Sequence, residues 1–369
     1  MKLLKRSLIF SAVFFLLVVF GVAVAQLPTK QPLTLRKWQA LGSGFDNTVR
    51  ALTFGDNLYA GGDFHYAGGV LVNHVAKWNG SAWSALGPTV KTGAISATPG
   101  VNGPVYALTY YSPRLYVGGS FSQAGGFLSA KNIASWNSSD NSWAALFVGA
   151  NAPVKALARH PSDFSIYVGN QSSPPAYGFG AWSGSWAGAP LTQLCGPVSS
   201  VVYTLSGYGS GFGKGIFAGV GSNVKLWDGT NWVTVGSFNG PVNAVAFNSA
   251  NIVYAAGDFT MTGGVTVNHV AQWNGSNWEP VGLGFNGNVY ALAYDPISKN
   301  LYAGGAFTKA GEVSVNHVAQ WDGTNWYIVG SGVTGTPYAL AVDSSGNLYA
   351  GGAFLYTGDR VLVNNIAKY

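Results

Sequence analysis

Histidine and cysteine are the side chains in this sequence that could bind a metal ion, and their spacing argues against a shared site. Cys195 is the only cysteine of the 369 residues, so the chain forms no internal disulfide and offers no pair of thiolate ligands. Three of the five histidines stand at one position of a repeated motif, which places them on separate repeat units. We therefore predict no metal site and no cofactor. The histidines are His65, His74, His160, His269 and His317.

Carboxylate chemistry finds little support in the sequence. Hydrolysis of a glycosidic bond needs two facing carboxyl groups, yet the chain has only two glutamates, Glu279 and Glu312. Asp63 and Asp258 share one repeat position, where other units carry serine or alanine. Arginine is scarce, so a guanidinium cluster for a carboxylate substrate is hard to assemble. We predict no catalytic residues and a non-enzymatic protein.

One position of the repeat carries large side chains with polar tips, while the Val and Ala/Leu positions that flank it recur. It lies in a Val-x-Ala-Leu motif, which we interpret as the first strand of each unit. Aromatic bodies with hydroxyl tips suit the recognition of sugars or peptides. We predict that these side chains surround the mouth of a central channel and bind a ligand there; the alternative is that they only pack between units. The residues are Arg50, Tyr106, Lys155, Tyr203, Asn243, Tyr290 and Tyr338.

A repeat of about 48 residues organises the chain. Its clearest unit reads Leu-Tyr-Ala-Gly-Gly-x-Phe, then Asn-x-Val-Ala-x-Trp, then Asn-Gly or Asp-Gly, then a second tryptophan. β-branched and aromatic residues between clusters of glycine, asparagine and aspartate indicate short strands, four in each unit. A period of this length in a strand-rich chain is typical of propeller blades. We predict an all-β protein, a seven-bladed β-propeller with four-stranded antiparallel blades.

Glycine and tryptophan mark where neighbouring units should meet. The Gly-Gly pair of the second strand predicts close approach of another strand. Asn-Gly and Asp-Gly tolerate the positive φ of a tight hairpin turn, and pairing across that turn places both tryptophans of a unit on one sheet face. We predict that each unit presents this pair to its neighbour. The repeat tryptophans are Trp38, Trp78, Trp83, Trp136, Trp143, Trp182, Trp186, Trp227, Trp232, Trp273, Trp278, Trp321 and Trp326.

The two ends of the repeat region carry complementary parts of one unit. The last unit stops at Tyr369, in its third strand, while residues 38–42 match the fourth-strand segment 83–87. We predict that residues 38–42 pair with residues 364–369, so that the N-terminal strand joins the last blade and closes the ring. Closure leaves no sheet edge open within the ring, which limits edge-to-edge association.

The first 25 residues have the pattern of a secretory signal peptide. A basic start precedes an apolar run from residue 8 to residue 22, and Ala23-Val24-Ala25 is a small-x-small cleavage site. The alternative is an uncleaved membrane anchor, because residues 8–25 are near the shortest length for a spanning helix. We expect a secreted or cell-surface protein, with residues 1–25 as signal peptide, 26–35 as an N-terminal leader and 36–369 as the propeller.

The repeat resembles known propeller families. A Gly-Gly pair in the second strand, an aromatic residue ending the third and a tryptophan opening the fourth resemble kelch-type repeats. The fuller signature is similar to bacterial extracellular propeller repeats and to the ectodomain of the fungal cortical polarity-marker family. The resemblance covers residues 36–369 and implies the propeller fold. Because such propellers host many functions, it implies no particular activity.

Low charge and an aromatic-rich repeat favour a rigid recognition platform. Charged residues make up 9% of the chain, and the net charge of +6 comes from 19 basic residues without a basic stripe, so we predict no nucleic-acid partner. We predict a non-enzymatic extracellular or cell-envelope recognition or assembly module with a protein or glycan partner, and no membrane insertion after signal cleavage. One alternative is a carbohydrate-binding lectin or carbohydrate-active enzyme that uses the channel mouth. The other is a self-assembling structural subunit of a surface layer or filament.

Overall fold

In the computed structural model, every regular element of the described residues is a β-strand. The expected signal peptide (1–25) and leader (26–35) lie outside these residues, as do His160, Trp186 and Cys195. No helix in the described part of the chain is long and apolar enough to cross a membrane. The main chain alone is described for residues 179–182 and 202–207. The described residues are 36–87, 98–126, 128–146, 149–159, 166–170, 179–182, 202–207, 216–227 and 232–369.

The strands follow the sequence repeat from one unit to the next. The first two units contain β1 (Gln39–Ala40), β2 (Val49–Phe54), β3 (Leu58–Gly62), β4 (Tyr66–Ala67), β5 (Val70–Leu71), β6 (Val75–Trp78), β7 (Trp83–Ala85), β8 (Val105–Tyr111), β9 (Arg114–Gly119), β10 (Gln123–Ala124), β11 (Leu128–Ser129), β12 (Ile133–Asn137) and β13 (Ser142–Ala145). The next two contain β14 (Val154–Arg159), β15 (Ile166–Asn170), β16 (Phe179–Trp182), β17 (Val202–Gly207), β18 (Ile216–Val220), β19 (Asn223–Trp227) and β20 (Trp232–Ser237). The last three contain β21 (Val242–Phe247), β22 (Val253–Gly257), β23 (Met261–Thr262), β24 (Val265–Thr266), β25 (Val270–Trp273), β26 (Trp278–Pro280), β27 (Val289–Asp295), β28 (Asn300–Gly305), β29 (Lys309–Ala310), β30 (Val313–Ser314), β31 (Val318–Trp321), β32 (Trp326–Ile328), β33 (Thr336–Val342), β34 (Leu348–Ala353) and β35 (Ile366–Lys368).

Within the described residues, the larger sheets each have three or four antiparallel strands. Sheet 1 is β2-β3-β6-β7, sheet 2 is β8-β9-β12-β13 and sheet 3 is β14-β15-β16. Sheet 4 is β17-β18-β19-β20, sheet 5 is β21-β22-β25-β26, sheet 6 is β27-β28-β31-β32 and sheet 7 is β33-β34-β35-β1. Short hairpins, such as β4-β5 in sheet 1, connect the second and third strands of four sheets. Sheets of this kind, repeated around an axis, make a β-propeller, which confirms the all-β propeller class predicted from the repeat.

The third strand begins later than the sequence motif suggests. The motif Asn-x-Val-Ala-x-Trp begins at Asn73 in this unit, but β6 begins at Val75. Asn73 and His74 have φ angles of 48° and 68°, in the left-handed region that strands do not use. The two residues therefore form the turn that leads into the strand, and the small hairpin before them, β4-β5, is an element that the sequence did not predict.

Neighbouring sheets pack through their first two strands. The first strand of each sheet contacts the first strand of the next, and β33 of sheet 7 contacts β2 of sheet 1. The buried hydrophobic residues form clusters that each draw on two neighbouring sheets. The cluster between sheets 7 and 1 contains Tyr349 and Ile366 together with Val49 and Trp83.

The Gly-Gly pair of the second strand lies where sheets approach most closely, as the sequence predicts. A Cβ atom on Gly351 of sheet 7 would lie 2.5 Å from Val49 Cγ1 of sheet 1. A Cβ atom on Gly61 of sheet 1 would overlap Val105 of sheet 2 in the same way. The first glycine of the pair therefore makes room for the branched side chain of the following sheet.

The second tryptophan of a unit connects it to the sheet before it. Trp83 of sheet 1 donates its indole N–H to the carbonyl of Leu41 at 2.9 Å, and Trp326 of sheet 6 donates to Val281 at 2.9 Å. Trp143 and Trp278 bond to the preceding sheet in the same way, at 3.1 and 2.8 Å. Within a unit the two tryptophans face each other across the turn; the rings of Trp78 and Trp83 are 5.2 Å apart.

Sheet 7 takes strands from both ends of the described region. In β1, Gln39 pairs with Lys368 and Ala40 with Ala367 of β35. Trp38 is 1% exposed and donates its indole N–H to Val329 of sheet 6 at 2.8 Å. Its ring lies 5.3 Å from that of Tyr369. Trp38 and Tyr369 thus occupy the places that the tryptophan pair takes in other sheets.

Candidate functional site

A β-bulge occurs at the same position in the first strand of every sheet. In sheet 1, Val49 pairs with Gly62 and Ala51 with Gly61, so that Arg50 is an extra residue without a partner on β3. A bulge leaves one residue out of the ladder and redirects its side chain. The residues on these bulges are the seven that the sequence selected as variable: Arg50, Tyr106, Lys155, Tyr203, Asn243, Tyr290 and Tyr338.

Six of these side chains line one cavity at the centre of the propeller. Its volume is about 190 Å³, and it is lined by the bulge residues and by the two residues that follow each of them. Those following residues are small or branched and apolar, for example Ala107 and Leu108. Tyr203 lies on the bulge of β17, but its side chain is outside the described residues. The structure therefore brings the other six together, with polar tips at the mouth and an apolar base.

Arg50 is held by a carboxylate from the neighbouring strand. Its Nε lies 2.8 Å from each oxygen of Asp63, and its Nη2 lies 2.6 Å from Asp63 Oδ2. The hydrogen bond to Asp63 raises the pKa of the Arg50 guanidinium, and burial opposes that rise. Such a forked pair fixes the guanidinium in one plane and satisfies much of its charge.

Asp258 has the same role for Asn243 in sheet 5. Asn243 Nδ2 donates to Asp258 Oδ1 at 2.8 Å and to the carbonyl of Val289 in the next sheet at 3.0 Å. Asp63 and Asp258 share one repeat position, directly after the second strand. Where the bulge residue is a tyrosine, as in Tyr290, this position holds a small residue, Ala306.

Five mouth side chains form a continuous belt of cationic and aromatic groups, which we call the mouth belt. Lys155 Nζ lies 3.5 Å from the centre of the Tyr106 ring. Arg50 Cζ lies 5.8 Å from the rings of Tyr106 and Tyr338, and the Tyr338 ring is 5.3 Å from that of Tyr290. Cations over ring faces are attracted by the negative face of the π system. The belt fixes the side chains of five consecutive sheets against one another.

Lys155 differs electrostatically from Arg50. Burial lowers the pKa of its ammonium group, and the nearby Arg50 charge lowers it further. Lys155 forms no ion pair or hydrogen bond with another described residue. The mouth therefore contains one cation that is neutralised by a carboxylate and one that is not.

The loops around the mouth are fixed by side chains of the segments that precede each first strand. Asp46 Oδ1 accepts hydrogen bonds from the backbone N–H groups of His65 and Tyr66, both at 2.9 Å. Asn286 Oδ1 accepts from Thr308 and Lys309 at 2.9 and 2.8 Å in sheet 6. Each such contact ties the loop after the second strand to the loop before the first. Where these contacts occur, the two loops form a rigid part of the rim of the mouth, which we call the rigid rim.

The repeat histidines lie beside the second strand, away from one another. Nδ1 of His74 lies 3.1 Å from the carbonyl oxygen of Gly62, and His269 and His317 contact Gly257 and Gly305 at 3.0 and 3.2 Å. Their φ angles are 68°, 69° and 63°. No group of three metal-ligating side chains occurs among the described residues. The contacts give these histidines a place in the turn before the third strand.

Sequence reasoning found the mouth residues but not their partners. Asp63 and Asp258 were recognised as occupying one repeat position without being connected to Arg50 and Asn243. The signal was available in the repeat: an aspartate follows the second strand where the bulge residue is Arg50 or Asn243, and a serine or alanine follows it beside Tyr106, Tyr290 and Tyr338.

Comparison with known proteins supports the fold and no more. No protein-family model matches the sequence, and no curated protein matches it. Among solved structures, the chain is similar to the WD40 repeats of RRP9, with a TM-score of 0.59, 14% identity, and coverage of 90% of this chain and 96% of that one. It is similar to the extracellular domain of a protein described as a hybrid two-component system from B. thetaiotaomicron, with a TM-score of 0.58 and 12% identity, over 90% of this chain but 39% of that one. It is also similar to the WD40 propeller domain of Doa1, with a TM-score of 0.54, 12% identity, and coverage of 90% and 95%.

Proposed function

We propose that this protein is a non-enzymatic recognition module, exported by its N-terminal signal segment, that binds a partner at the channel mouth of a closed seven-bladed propeller. The sheet order, the contact between β33 and β2 and the pairing of β1 with β35 support the closed ring. The signal pattern of residues 1–25 supports export. The kelch-like family relationship remains a prediction from the repeat motifs.

The observation that carries the binding function is the series of bulges. In the six sheets whose side chains are described, the residues on either side of the bulge are buried, for example Val49 and Ala51 at 0% and 8% exposure, while the bulge residue is an arginine, a lysine, an asparagine or a tyrosine. A position that packing does not fix, repeated around a cavity with convergent polar groups, has the properties of a binding site. The rigid rim and the mouth belt hold these groups in place before a ligand arrives, which reduces the entropy cost of binding.

A glycan array and a peptide array probed with residues 26–369 test this function. We expect ligands that bind the parent and lose binding in Tyr290→Ala and Tyr338→Ala. Tyr327→Ala is the matched control, because Tyr327 is 46% exposed on the outer strand β32. Array hits that bind the mouth variants and the parent equally well would show that the mouth is not the site.

Self-assembly is a second candidate, favoured by apolar side chains in the loop that precedes the third strand of sheet 7. Leu355 and Leu362 are 53% and 52% exposed, and Tyr356 is 43% exposed. Exposed apolar groups close together often mark protein contacts. Size-exclusion chromatography with light scattering on residues 26–369 separates the two candidates: a mass that rises with concentration, and that returns to one chain in Leu355→Ser with Leu362→Ser, would favour assembly.

A further inference from the structure

Lys155 is a cation at the channel mouth that forms no ion pair with a carboxylate in the described part of the chain. Arg50, the other cation of the mouth belt, has its guanidinium occupied by both oxygens of Asp63. Asp258 is engaged by Asn243 at 2.8 Å. Lys155 bonds to no carboxylate among the described residues and only contacts the face of the Tyr106 ring. The mouth therefore has one positive charge ready to receive an anionic group.

The groups around Lys155 are suited to a polyhydroxylated ligand. The phenol groups of Tyr106, Tyr290 and Tyr338 form no hydrogen bond with another described residue. A phenol donates one hydrogen bond and accepts others, and the Lys155 ammonium donates three. These groups come from sheets 2, 3, 6 and 7 and occupy the same bulge position in each, so a ligand in the centre can bond to them along one side of its edge.

The size and the base of the cavity limit what can enter it. About 190 Å³ is below the range of roughly 300–1,000 Å³ that is typical of pockets for drug-sized ligands. The cavity therefore accepts a single small unit. Its base consists of alanine and leucine side chains such as Ala107 and Leu340, which can contact the C–H groups on one face of a ring.

We infer that the channel mouth binds a single sugar unit that carries a carboxylate, of the hexuronic acid type. The carboxylate bonds to Lys155, the ring hydroxyls bond to the free phenols, and the apolar ring face rests on the base of the cavity. This inference rests on the proposed function, since it names the ligand class of the same site. A charge-assisted hydrogen bond is stronger than a neutral one, so the carboxylate sets the preference among sugars.

The test compares matched sugars that differ only at C6, where a uronate has a carboxylate and the neutral sugar has a hydroxymethyl group. The methyl glycosides of D-glucuronate and D-galacturonate are titrated into residues 26–369 and followed by isothermal calorimetry and ligand-observed NMR, beside the methyl glycosides of D-glucose and D-galactose. We expect a uronate to bind at least about tenfold more tightly than its neutral counterpart, the difference typical of a hydrogen bond to a charged group. Lys155→Met should abolish this difference, and Lys155→Arg should retain most of it. Melting curves identify any variant that fails to fold.

The outcomes separate this inference from the proposed function. Equal binding of charged and neutral sugars, or an uronate preference that persists in folded Lys155→Met, would overturn the carboxylate site. Binding of no sugar of either kind, together with a peptide that requires Tyr290 and Tyr338, would also overturn it while the recognition function stands. Array ligands that bind the Tyr290→Ala and Tyr338→Ala variants as tightly as the parent would instead contradict the proposed function.

Discussion

A methyl group at Gly351 tests whether sheets 7 and 1 pack as neighbours in a ring. The added Cβ would lie 2.5 Å from Val49 Cγ1 and 3.3 Å from Leu52 Cδ1, in a core where Val49 is 0% exposed. Overpacking of this kind costs about 1–3 kcal/mol, so we expect Gly351→Ala to lower the melting temperature by about 1–4 °C at this chain length. Without the contact, the same change would stabilise the protein by about 0.4–1 kcal/mol, because alanine restricts the unfolded chain. The sign of the effect therefore decides the question.

Urea unfolding followed by circular dichroism measures this effect against an internal standard. Gly118→Ala adds the same methyl group between sheets 2 and 3, where Val154 takes the place of Val49. Both variants should lose a similar free energy of unfolding. Because Val49→Ala removes the opposing methyl group, the double variant with Gly351→Ala should be more stable than the sum of the two single changes predicts. Stabilisation by Gly351→Ala, or strict additivity in the double variant, would refute the packing of sheet 7 on sheet 1.

Three further predictions concern the strand that completes sheet 7 and a buried histidine. Trp38→Phe and Trp326→Phe each leave a buried carbonyl without its indole donor, so both should cost about 1–3 kcal/mol in urea unfolding; a loss confined to Trp326→Phe would mean that β1 does not contribute to the ring. Deletion of residues 26–42 removes β1 and should lower the melting temperature of the whole domain, whereas melting at the parental temperature would contradict closure. Burial lowers the pKa of His74 from its ordinary value of 6.5, so the folded state binds fewer protons than the unfolded state and stability falls as the pH drops below about 6.5. His74→Asn, which introduces the residue found at the equivalent Asn365, should flatten this dependence in melting curves between pH 7 and pH 5, and an unchanged slope would show that His74 does not cause it.

The sequence predicted the propeller because its signals act within one unit. The Gly-Gly pair, the Asn-Gly turns and the alternation of buried residues each depend on neighbours a few positions away. Because the same signals recur in several units, each unit supports the assignment made for the others. The same local reading located Arg50 and Tyr290 at one position of the first strand. It could not reveal the bulge, because Val49 and Ala51 look like ordinary inward-facing residues of a regular strand. The extra residue becomes visible only in the pairing with β3.

Contacts between strands and between sheets could not be predicted from the sequence, because they join residues that are far apart in the chain. The bond from Trp83 to Leu41 joins residues 42 positions apart, and Asn364 donates to the carbonyl of Ser43 across 321 positions. A motif records that a tryptophan is needed but not which carbonyl accepts its N–H. The pairing of Arg50 with Asp63 was hidden in the same way, since each belongs to a different strand. Comparing these two positions across all units would have suggested it.

The bulges place the residues that face the cavity at positions different from those that hold the sheets together. Each bulged residue takes no part in the hydrogen bonds of its sheet, so its replacement leaves the ladder and the inter-sheet core intact. A residue such as Tyr106 can therefore be exchanged without a new fold having to evolve, whereas Arg50 and Asn243 exchange together with the carboxylates that they bind, Asp63 and Asp258. Propellers built on this repeat can diversify their specificity by point substitution alone, and a combinatorial library restricted to the bulge positions would sample that repertoire on one stable framework.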